Sequence, residues 1–405
     1  MKERLEGPTH HGYSRPVFVG NFAMLQEFLL EKESFFWSGL RLFEFLLRGF
    51  SQVVCANNPI SGLLIVISLA CTAPVTLLFT SITGTLGLLL SVLLRDSQDL
   101  IANGLTTFNP VLLGAVSCTL IPTIYGPYDT FSILCLLLAT IFCAYVTRSL
   151  ENNKLPYIAW PFNLSELMLI LLLYTQDNGF DTTEKPQPLM RMHNATSDAT
   201  TADVSIIGGN ATGVHVNWGM MFRAVIMSAS QLMAIENAVT GSVIYLAILL
   251  FSPVTAGFAL FGAIIGSLAG LMLGVELASI YSGFWGYNAF LTGGVLGGNF
   301  FVLTGQTVVA TIMAVVYTVI VQYCIHFFFK NLKLPVLGLP FTIVVSLFVN
   351  LRKPDDKSFP KPASPSYPEK NRADYKASRL LRRISDRDDN DDDFKDRKQK
   401  TVVNV

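Results

Sequence analysis

An eight-residue stretch with two prolines occurs twice in the chain, and it restricts the possible folds more than any other feature. The first copy, LPYIAWPF, occupies residues 155–162, and the second, LPVLGLPF, occupies residues 334–341. Each proline removes a backbone N–H donor and crowds the carbonyl four residues earlier, so the pair is incompatible with a continuous helix. Such breaks are tolerated at membrane depth only inside protein or along a polar cavity. We therefore predict two buried helix breaks in a membrane protein.

The composition also indicates a membrane protein. Of the 405 residues, 51% are hydrophobic and only 14% are charged. We predict an all-α polytopic membrane protein, because apolar runs long enough, or nearly long enough, to cross a bilayer recur along the chain. These runs lie around residues 35–56, 60–94, 107–125, 130–147, 157–174, 219–235, 241–273, 287–304, 307–329 and 334–350.

The two proline motifs belong to a longer internal repeat with an offset of 179 residues. SQVVCANNPISG from Ser51 aligns with SQLMAIENAVTG from Ser230, and NGLTTFNPVLLGAV from Asn103 aligns with SGFWGYNAFLTGGV from Ser282. Internal repeats of this kind are typical of transport proteins whose path follows the repeat interface. The identities include polar and small residues that hydropathy alone would not align: Gln52 with Gln231, Asn58 with Asn237, Gly62 with Gly241, Gly104 with Gly283, and Asn109 with Asn288.

A polar segment between the halves indicates the membrane orientation. It contains the glycosylation sequons Asn194-Ala-Thr and Asn210-Ala-Thr, which would make it extracellular if used. It has two basic residues, whereas 15 follow Leu351, which favours a cytoplasmic tail. With a cytoplasmic N-terminus, each half has an odd number of spans, so the halves are expected to be inverted.

These features predict five segments in a multi-pass plasma-membrane protein with both termini in the cytoplasm. They are a cytoplasmic N-terminal segment (1–34), a first membrane repeat (35–176), an extracellular loop (177–217), a second membrane repeat (218–350) and a disordered cytoplasmic tail (351–405). In the tail, Ser385 in RRIS fits a kinase site, and the terminal Val403-Asn404-Val405 fits a peptide-binding groove of the PDZ type.

The repeated motifs resemble those of the urea transporter family, particularly the vertebrate type. The resemblance rests on the two proline motifs, SQVVCANNPISG with its partner, GLTTFNPVLLG with GFWGYNAFLTG, and YPEKNR from Tyr367. It implies two inverted halves, each with five transmembrane helices and one tilted half-length helix. It also implies a continuous narrow pore in each subunit, a homotrimer in the lipid bilayer, and passive movement of urea down its gradient. The sequence has no nucleophile–base pairing or metal-ligand spacing, so we expect no enzyme activity, cofactor, metal or nucleic-acid partner.

The same resemblance implies which residues form the path. Gln52 and Gln231, expected at two half-helices, would hydrogen-bond the solute at the two pore mouths. We interpret Glu236 as a hydrogen-bond acceptor for backbone amides or for the solute; the alternatives are a structural partner of Asn237 and a proton carrier. The flat apolar slot would be lined by Val53, Phe108, Leu112, Leu232, Tyr287 and Leu291.

The chain departs from the family pattern near the middle of the path. The pattern has Thr at the fifth position of the proline motif, where this chain has Ala159 and Gly338. Three residues after each glutamine it has Cys55 and Ala234, where the family often places an aromatic residue in the first half. We therefore predict a wider, less polar slot that conducts urea but discriminates less well against larger or less polar amides.

Two other functions remain open from the sequence. One is a related channel for another small neutral solute, such as water, ammonia or a short amide. The other is a proton- or sodium-coupled carrier, in which Glu236 would be the coupling group. The spans otherwise contain few acidic residues, chiefly Glu166 and Glu276, and no evident basic partner, which disfavours coupling.

Replacing both sequon asparagines tests the predicted orientation. Asn194→Gln with Asn210→Gln should remove glycan-dependent mass heterogeneity from protein made in a glycosylating host, because the acceptor amides are lost. Gel mobility with and without a glycosidase measures the change. A single, glycosidase-insensitive mass for the wild-type protein, which keeps both asparagines, would contradict the prediction of an extracellular loop.

Overall fold

The computed structural model describes residues 20–32, 34–152, 158–177, 216–351, 358–362 and 366–381. Within these ranges the regular elements are helices, and no strand is formed. The prediction of an all-α protein is confirmed for this part of the chain. Outside it lie the predicted modification and partner sites Asn194, Asn210, Ser385 and Val403–Val405.

The helices fall into two series separated by the polar segment. The first series contains α1 (Ala23–Leu30), α2 (Phe35–Gln52), α3 (Pro59–Thr72), α4 (Pro74–Leu93), α5 (Gln98–Ala102), α6 (Phe108–Ile124), α7 (Thr130–Asn152) and α8 (Trp160–Asp177). The second contains α9 (Trp218–Ser230), a 3-10 turn (Gln231–Met233), α10 (Ala238–Phe251), α11 (Pro253–Met272), α12 (Leu277–Tyr281), α13 (Tyr287–Leu296), α14 (Gly305–Leu332) and α15 (Leu339–Val349). A last helix, α16, covers residues 368–381.

The helix boundaries follow the 179-residue offset of the sequence repeat. The pair α3 and α10 has 14 residues in each helix, the pair α4 and α11 has 20, and the pair α5 and α12 has 5. In each pair the first residues are 179 positions apart, as are the first residues of α6 and α13 and of α8 and α15. The similarity between the two halves therefore extends from the sequence to the secondary structure.

The same local interactions form corresponding helices. Asn58 and Asn237 cap α3 and α10, and each side chain accepts hydrogen bonds from two backbone N–H groups of the first turn. A Cβ atom on Gly62 or Gly241 would overlap a backbone carbonyl oxygen of the preceding helix. Glycine at these two positions therefore permits the close approach of α3 to α2 and of α10 to α9.

Several helices are compatible with a membrane, although fewer by length than the ten spans expected. Of the described helices, α4, α7, α11 and α14 are long and apolar enough to cross it, and α9 with α10 would form a fifth span bent by 82°. The apolar helices α3, α6 and α15 are shorter. At 14 residues, α3 extends about 21 Å, less than the hydrocarbon thickness of about 30 Å.

Corresponding helices from the two halves contact each other. Ser61, near the start of α3, donates a hydrogen bond of 2.6 Å to the carbonyl of Ala247 in the second half of α10. The hydroxyl oxygens of Thr72, at the end of α3, and Thr240, near the start of α10, are 2.7 Å apart. The start of α3 therefore lies beside the end of α10 and the end of α3 beside its start, so the two helices run antiparallel. The starts of α8 and α15 meet as well.

Part of the C-terminal tail packs against the second half. The Glu369 carboxylate in α16 accepts hydrogen bonds of 2.9 Å from the Ser252 hydroxyl and 3.0 Å from the Val254 backbone N–H, at the start of α11. The Asn371 side-chain amide donates to the Gly298 carbonyl at 3.2 Å, just after α13. These contacts hold the tail at two points on the second half.

The prediction that residues 351–405 are disordered is therefore wrong for residues 366–381. The high charge of the tail favoured disorder. However, Glu369 is used to cap a helix and Asn371 to satisfy a free carbonyl. Such pairings depend on the tertiary position of the tail and are not visible in its composition.

Removing the tail's helix cap should destabilise the protein. Glu369→Ala is expected to lower the melting temperature, because the start of α11 loses an anionic acceptor worth about 1 kcal/mol. Thermal unfolding of the purified protein in detergent measures this. Asp374→Ala, at an exposed position of α16, is the control and should leave the melting temperature unchanged. Equal melting temperatures for the Glu369 variant and wild type would contradict the cap.

Candidate functional site

The two glutamines predicted at the pore mouths lie at corresponding breaks between helices. Gln52 is the last residue of α2, and Gln231 begins the 3-10 turn between α9 and α10. Cys55 and Ala234, three residues later, both have left-handed backbone conformations, with φ of 62° and 52°. Because α2 has 18 residues, Gln52 ends a long helix rather than the half-helix expected from the resemblance.

The glutamines make equivalent hydrogen bonds in the two halves. The Gln52 Nε2 atom donates to the backbone carbonyl of Asn103 at 3.0 Å, and the Gln231 Nε2 atom donates to that of Ser282 at 2.8 Å. Asn103 and Ser282 are themselves 179 positions apart. Both glutamine side chains are half-buried. Fixing the amide nitrogen also fixes the direction of the amide oxygen, which is a hydrogen-bond acceptor.

Glu236 lies beside the second of these glutamines. Its side chain is exposed, and its Oε1 atom is 3.5 Å from Nε2 of Gln231. The corresponding residue of the first half, Asn57, donates to Oδ1 of Asn103 at 2.7 Å. The two breaks therefore share a glutamine and differ in charge.

The apolar residues predicted to line a slot lie in the same part of the molecule. Leu112, Tyr287 and Leu291 are each 8% exposed, and Val53 and Leu232 are more deeply buried. They share one hydrophobic cluster, against which Phe108 packs. Because Phe108 and Leu112 are separated by one helical turn, as are Tyr287 and Leu291, each pair lies on one helix face. The cluster also includes much of the surrounding core, so their role in lining a path stays a prediction.

Both proline motifs break the backbone as predicted. Ile158 and Leu337 have φ of 36° and 51°, a conformation that is unfavourable for residues with branched or bulky side chains. The helices α8 and α15 start two residues later, so Pro161 and Pro340 occupy first turns, where a missing N–H costs little. The breaks are confirmed for the described residues of the motifs.

Side chains from α6 and α13 supply hydrogen bonds to the backbone carbonyls at these breaks. The Asn109 Nδ2 atom donates to the Ile158 carbonyl at 3.2 Å, and the Asn288 Nδ2 atom donates to the Leu337 carbonyl at 3.3 Å. The Tyr287 hydroxyl also donates to the Leu337 carbonyl. The carbonyls released by the proline motifs are thus satisfied by the helices that carry the predicted slot residues.

Ala159 and Gly338 are buried where the two halves touch. The Asn163 Nδ2 atom donates to the Ala159 carbonyl at 2.8 Å and to the Thr342 hydroxyl at 3.0 Å. Thr342 in turn donates to the Gly338 carbonyl at 2.8 Å. A Cβ atom added to Gly338 would lie 3.5 Å from Nδ2 of Asn163, an ordinary contact distance. Asn163 and Thr342 are 179 positions apart.

Three asparagines at this site were not among the functional residues predicted from the sequence. Asn109, Asn163 and Asn288 are fully buried, and their amide oxygens have no hydrogen-bond partner among the described residues. A buried acceptor without a partner costs about 1–3 kcal/mol, so each calls for an explanation. The sequence offered one signal for two of them, because Asn109 and Asn288 are identical residues at corresponding positions of the repeat. Amide oxygens of this kind could accept hydrogen bonds from a solute with N–H groups.

Comparisons with known proteins agree with this arrangement. A family model described as urea transporter matches residues 43–353, which include both glutamine breaks and both proline motifs. Urea transporter 1 of Rattus norvegicus is 27% identical over 343 residues, with 83% of this chain and 84% of the relative covered. Urea transporter 1 of Mus musculus gives the same values. The protein of that name from Ovis aries is 27% identical over 348 residues, with the same coverage. The chain therefore belongs to the urea transporter family, whose members are transporters and not enzymes.

Proposed function

We propose that this protein conducts urea passively across the membrane, down the urea gradient, through a channel-like path between its two halves. The observation that carries the proposal is the matched pair Gln52 and Gln231, each held by a backbone carbonyl at a helix break. Membership in the family and the name of the similar relatives support urea as the solute.

The chemistry of urea fits the side chains at these breaks. Urea is neutral and flat, with four N–H hydrogens to donate and one carbonyl to accept. A solute that leaves water loses its hydrogen bonds, and this costs free energy unless the protein replaces them. A fixed glutamine amide replaces part of them at each mouth. A narrow apolar slot between the mouths disfavours hydrated ions, because it offers no substitute for their water.

Two structural features support inverted halves of five transmembrane helices with a path at their interface. Corresponding helices begin 179 positions apart, and the corresponding pair α3 and α10 is antiparallel. Inverted repeats of this kind place substrate sites near the membrane midplane, at the repeat interface. We place the first repeat at residues 35–176 and the second at 218–350, with half-length helices beginning at the proline motifs.

The contacts of the two termini support a common side for both. The Gly20 backbone N–H donates to the Phe251 carbonyl at 3.1 Å, and the Asn58 side chain donates to the Gly20 carbonyl at 2.6 Å. The Tyr367 ring of the tail packs beside Gly20 and Phe251. We propose that this side is cytoplasmic, that residues 177–217 are extracellular, and that the protein forms a homotrimer in the plasma membrane.

Truncating either glutamine should slow urea transport. Gln52→Ala and Gln231→Ala are each expected to reduce urea flux about fivefold, because a dehydrating solute loses one hydrogen-bonding partner worth about 1 kcal/mol. Stopped-flow swelling of proteoliposomes at matched protein content measures the flux. Gln306→Ala, at an exposed position, is the matched control and should behave as wild type. Wild-type flux in both pore variants would exclude these residues from the path.

Restoring hydroxyl groups at the contact between the halves should sharpen selectivity. Ala159→Thr with Gly338→Thr is expected to raise the ratio of urea to methylurea permeability, because two rotatable acceptors are added and the centre narrows. The same swelling assay with each solute gives the ratio. Gly257→Thr, which meets open space, serves as the control. An unchanged ratio in a folded double variant would show that these positions do not set selectivity.

A further inference from the structure

A fully buried arginine lies behind the mouth at Gln52. The Arg48 Nε atom is 2.5 Å from Oε1 of Glu44, and its Nη1 atom donates to Oδ1 of Asn57 at 2.7 Å. Nη1 also donates to the Asn21 backbone carbonyl at 2.9 Å, which brings the N-terminal segment into the same network. Arg48 is 0% exposed and Glu44 is 3% exposed. Charged groups that are buried this completely are unfavourable unless they are paired and hydrogen-bonded.

The network continues from Arg48 to Gln52 through two side chains. Asn57, whose carbonyl end is held by Arg48, donates through Nδ2 to Oδ1 of Asn103 at 2.7 Å. Asn103 in turn provides the backbone carbonyl that accepts the hydrogen bond from Gln52. The charge on Arg48 therefore determines which end of the Asn57 amide faces Asn103, and Asn103 determines the position of the Gln52 amide.

The second half achieves the same packing without this ion pair. The residues that correspond to Glu44, Arg48 and Asn57 are Arg223, Met227 and Glu236. Met227 is buried and Arg223 is exposed. Gly283 packs against the backbone at Met227 as Gly104 packs against the backbone at Arg48. Helix packing at this position is therefore satisfied by an apolar side chain, and packing alone does not explain the buried cation.

We propose that Arg48 is a positioning residue for Gln52, a role that rests on the proposed function of Gln52 in urea conduction. By fixing Asn57 and Asn103, Arg48 holds the Gln52 amide nitrogen on a backbone carbonyl and leaves its amide oxygen directed to the solute. In the second half, Glu236 contacts the Gln231 amide directly. The two mouths thus orient corresponding glutamines by different means.

Two variants that act on different parts of the network test this role in the full-length protein. Glu44→Leu with Arg48→Met removes both charges together, so no unpaired ion is left buried. It also gives position 48 the methionine that the second half has at position 227. Asn103→Ala leaves the ion pair intact and keeps the carbonyl, but it removes the side chain that anchors that carbonyl. Each is expected to lower urea flux about fivefold, as Gln52→Ala does. Arg148→Met, which removes a partly exposed ion pair with Asp96, is the control and should leave the flux unchanged.

Combination with Gln52→Ala distinguishes positioning from general destabilisation. If Arg48 acts through Gln52, adding either variant to Gln52→Ala produces no further loss of flux. Both changes disable the same hydrogen-bonding group, the Gln52 amide, so their effects do not add. Wild-type flux in Asn103→Ala, or an additional fivefold loss in the combined variants, would overturn the proposal. Wild-type flux in Gln52→Ala alone would instead contradict the proposed function of the glutamine. Thermal unfolding confirms that the variants compared are folded.

Discussion

The structure depends on one constraint: a backbone that is broken within a membrane must have its free N–H and C=O groups satisfied by the protein. The breaks at the proline motifs release the carbonyls of Ile158 and Leu337, and the buried amides of Asn109 and Asn288 bind them. Gln52 and Gln231 bind carbonyls at the ends of other helices in the same way. The side chains that satisfy the broken backbone thus include the glutamines that we propose contact a polar solute.

The two halves are similar in backbone and have diverged in detail. Corresponding helices share their starting positions and their glycine contacts. However, α6 has 17 residues whereas α13 has 10, and the tail packs against Gly298 just after α13. The tail therefore supports a region of the second half where the helix of the first half continues. The buried Arg48 and the exposed Glu236 show the same divergence beside the two glutamine breaks.

Much of this arrangement could be predicted from the sequence because a repeat converts a weak local signal into two observations. The helix breaks near Pro161 and Pro340 followed from proline geometry, and the corresponding glutamines followed from the offset. Other features depend on tertiary partners. The amide of Asn163 reaches Thr342 in the other half, and Glu369 caps a helix that starts more than a hundred residues earlier. The resemblance implied that Gln52 ends a half-length helix, whereas α2 has 18 residues. The sequence did not correct this expectation, because a break after a glutamine does not reveal how long the preceding helix is.

The most direct test of a passive urea path is the distribution of labelled urea across proteoliposomes under imposed gradients. Purified protein is reconstituted, and internal urea is followed with a pH gradient, a sodium gradient or neither. We predict that internal urea rises at the same rate in all three conditions and stops at the external concentration, whereas protein-free liposomes fill more slowly. Accumulation of urea above the external concentration under either gradient would contradict this account and favour a coupled carrier.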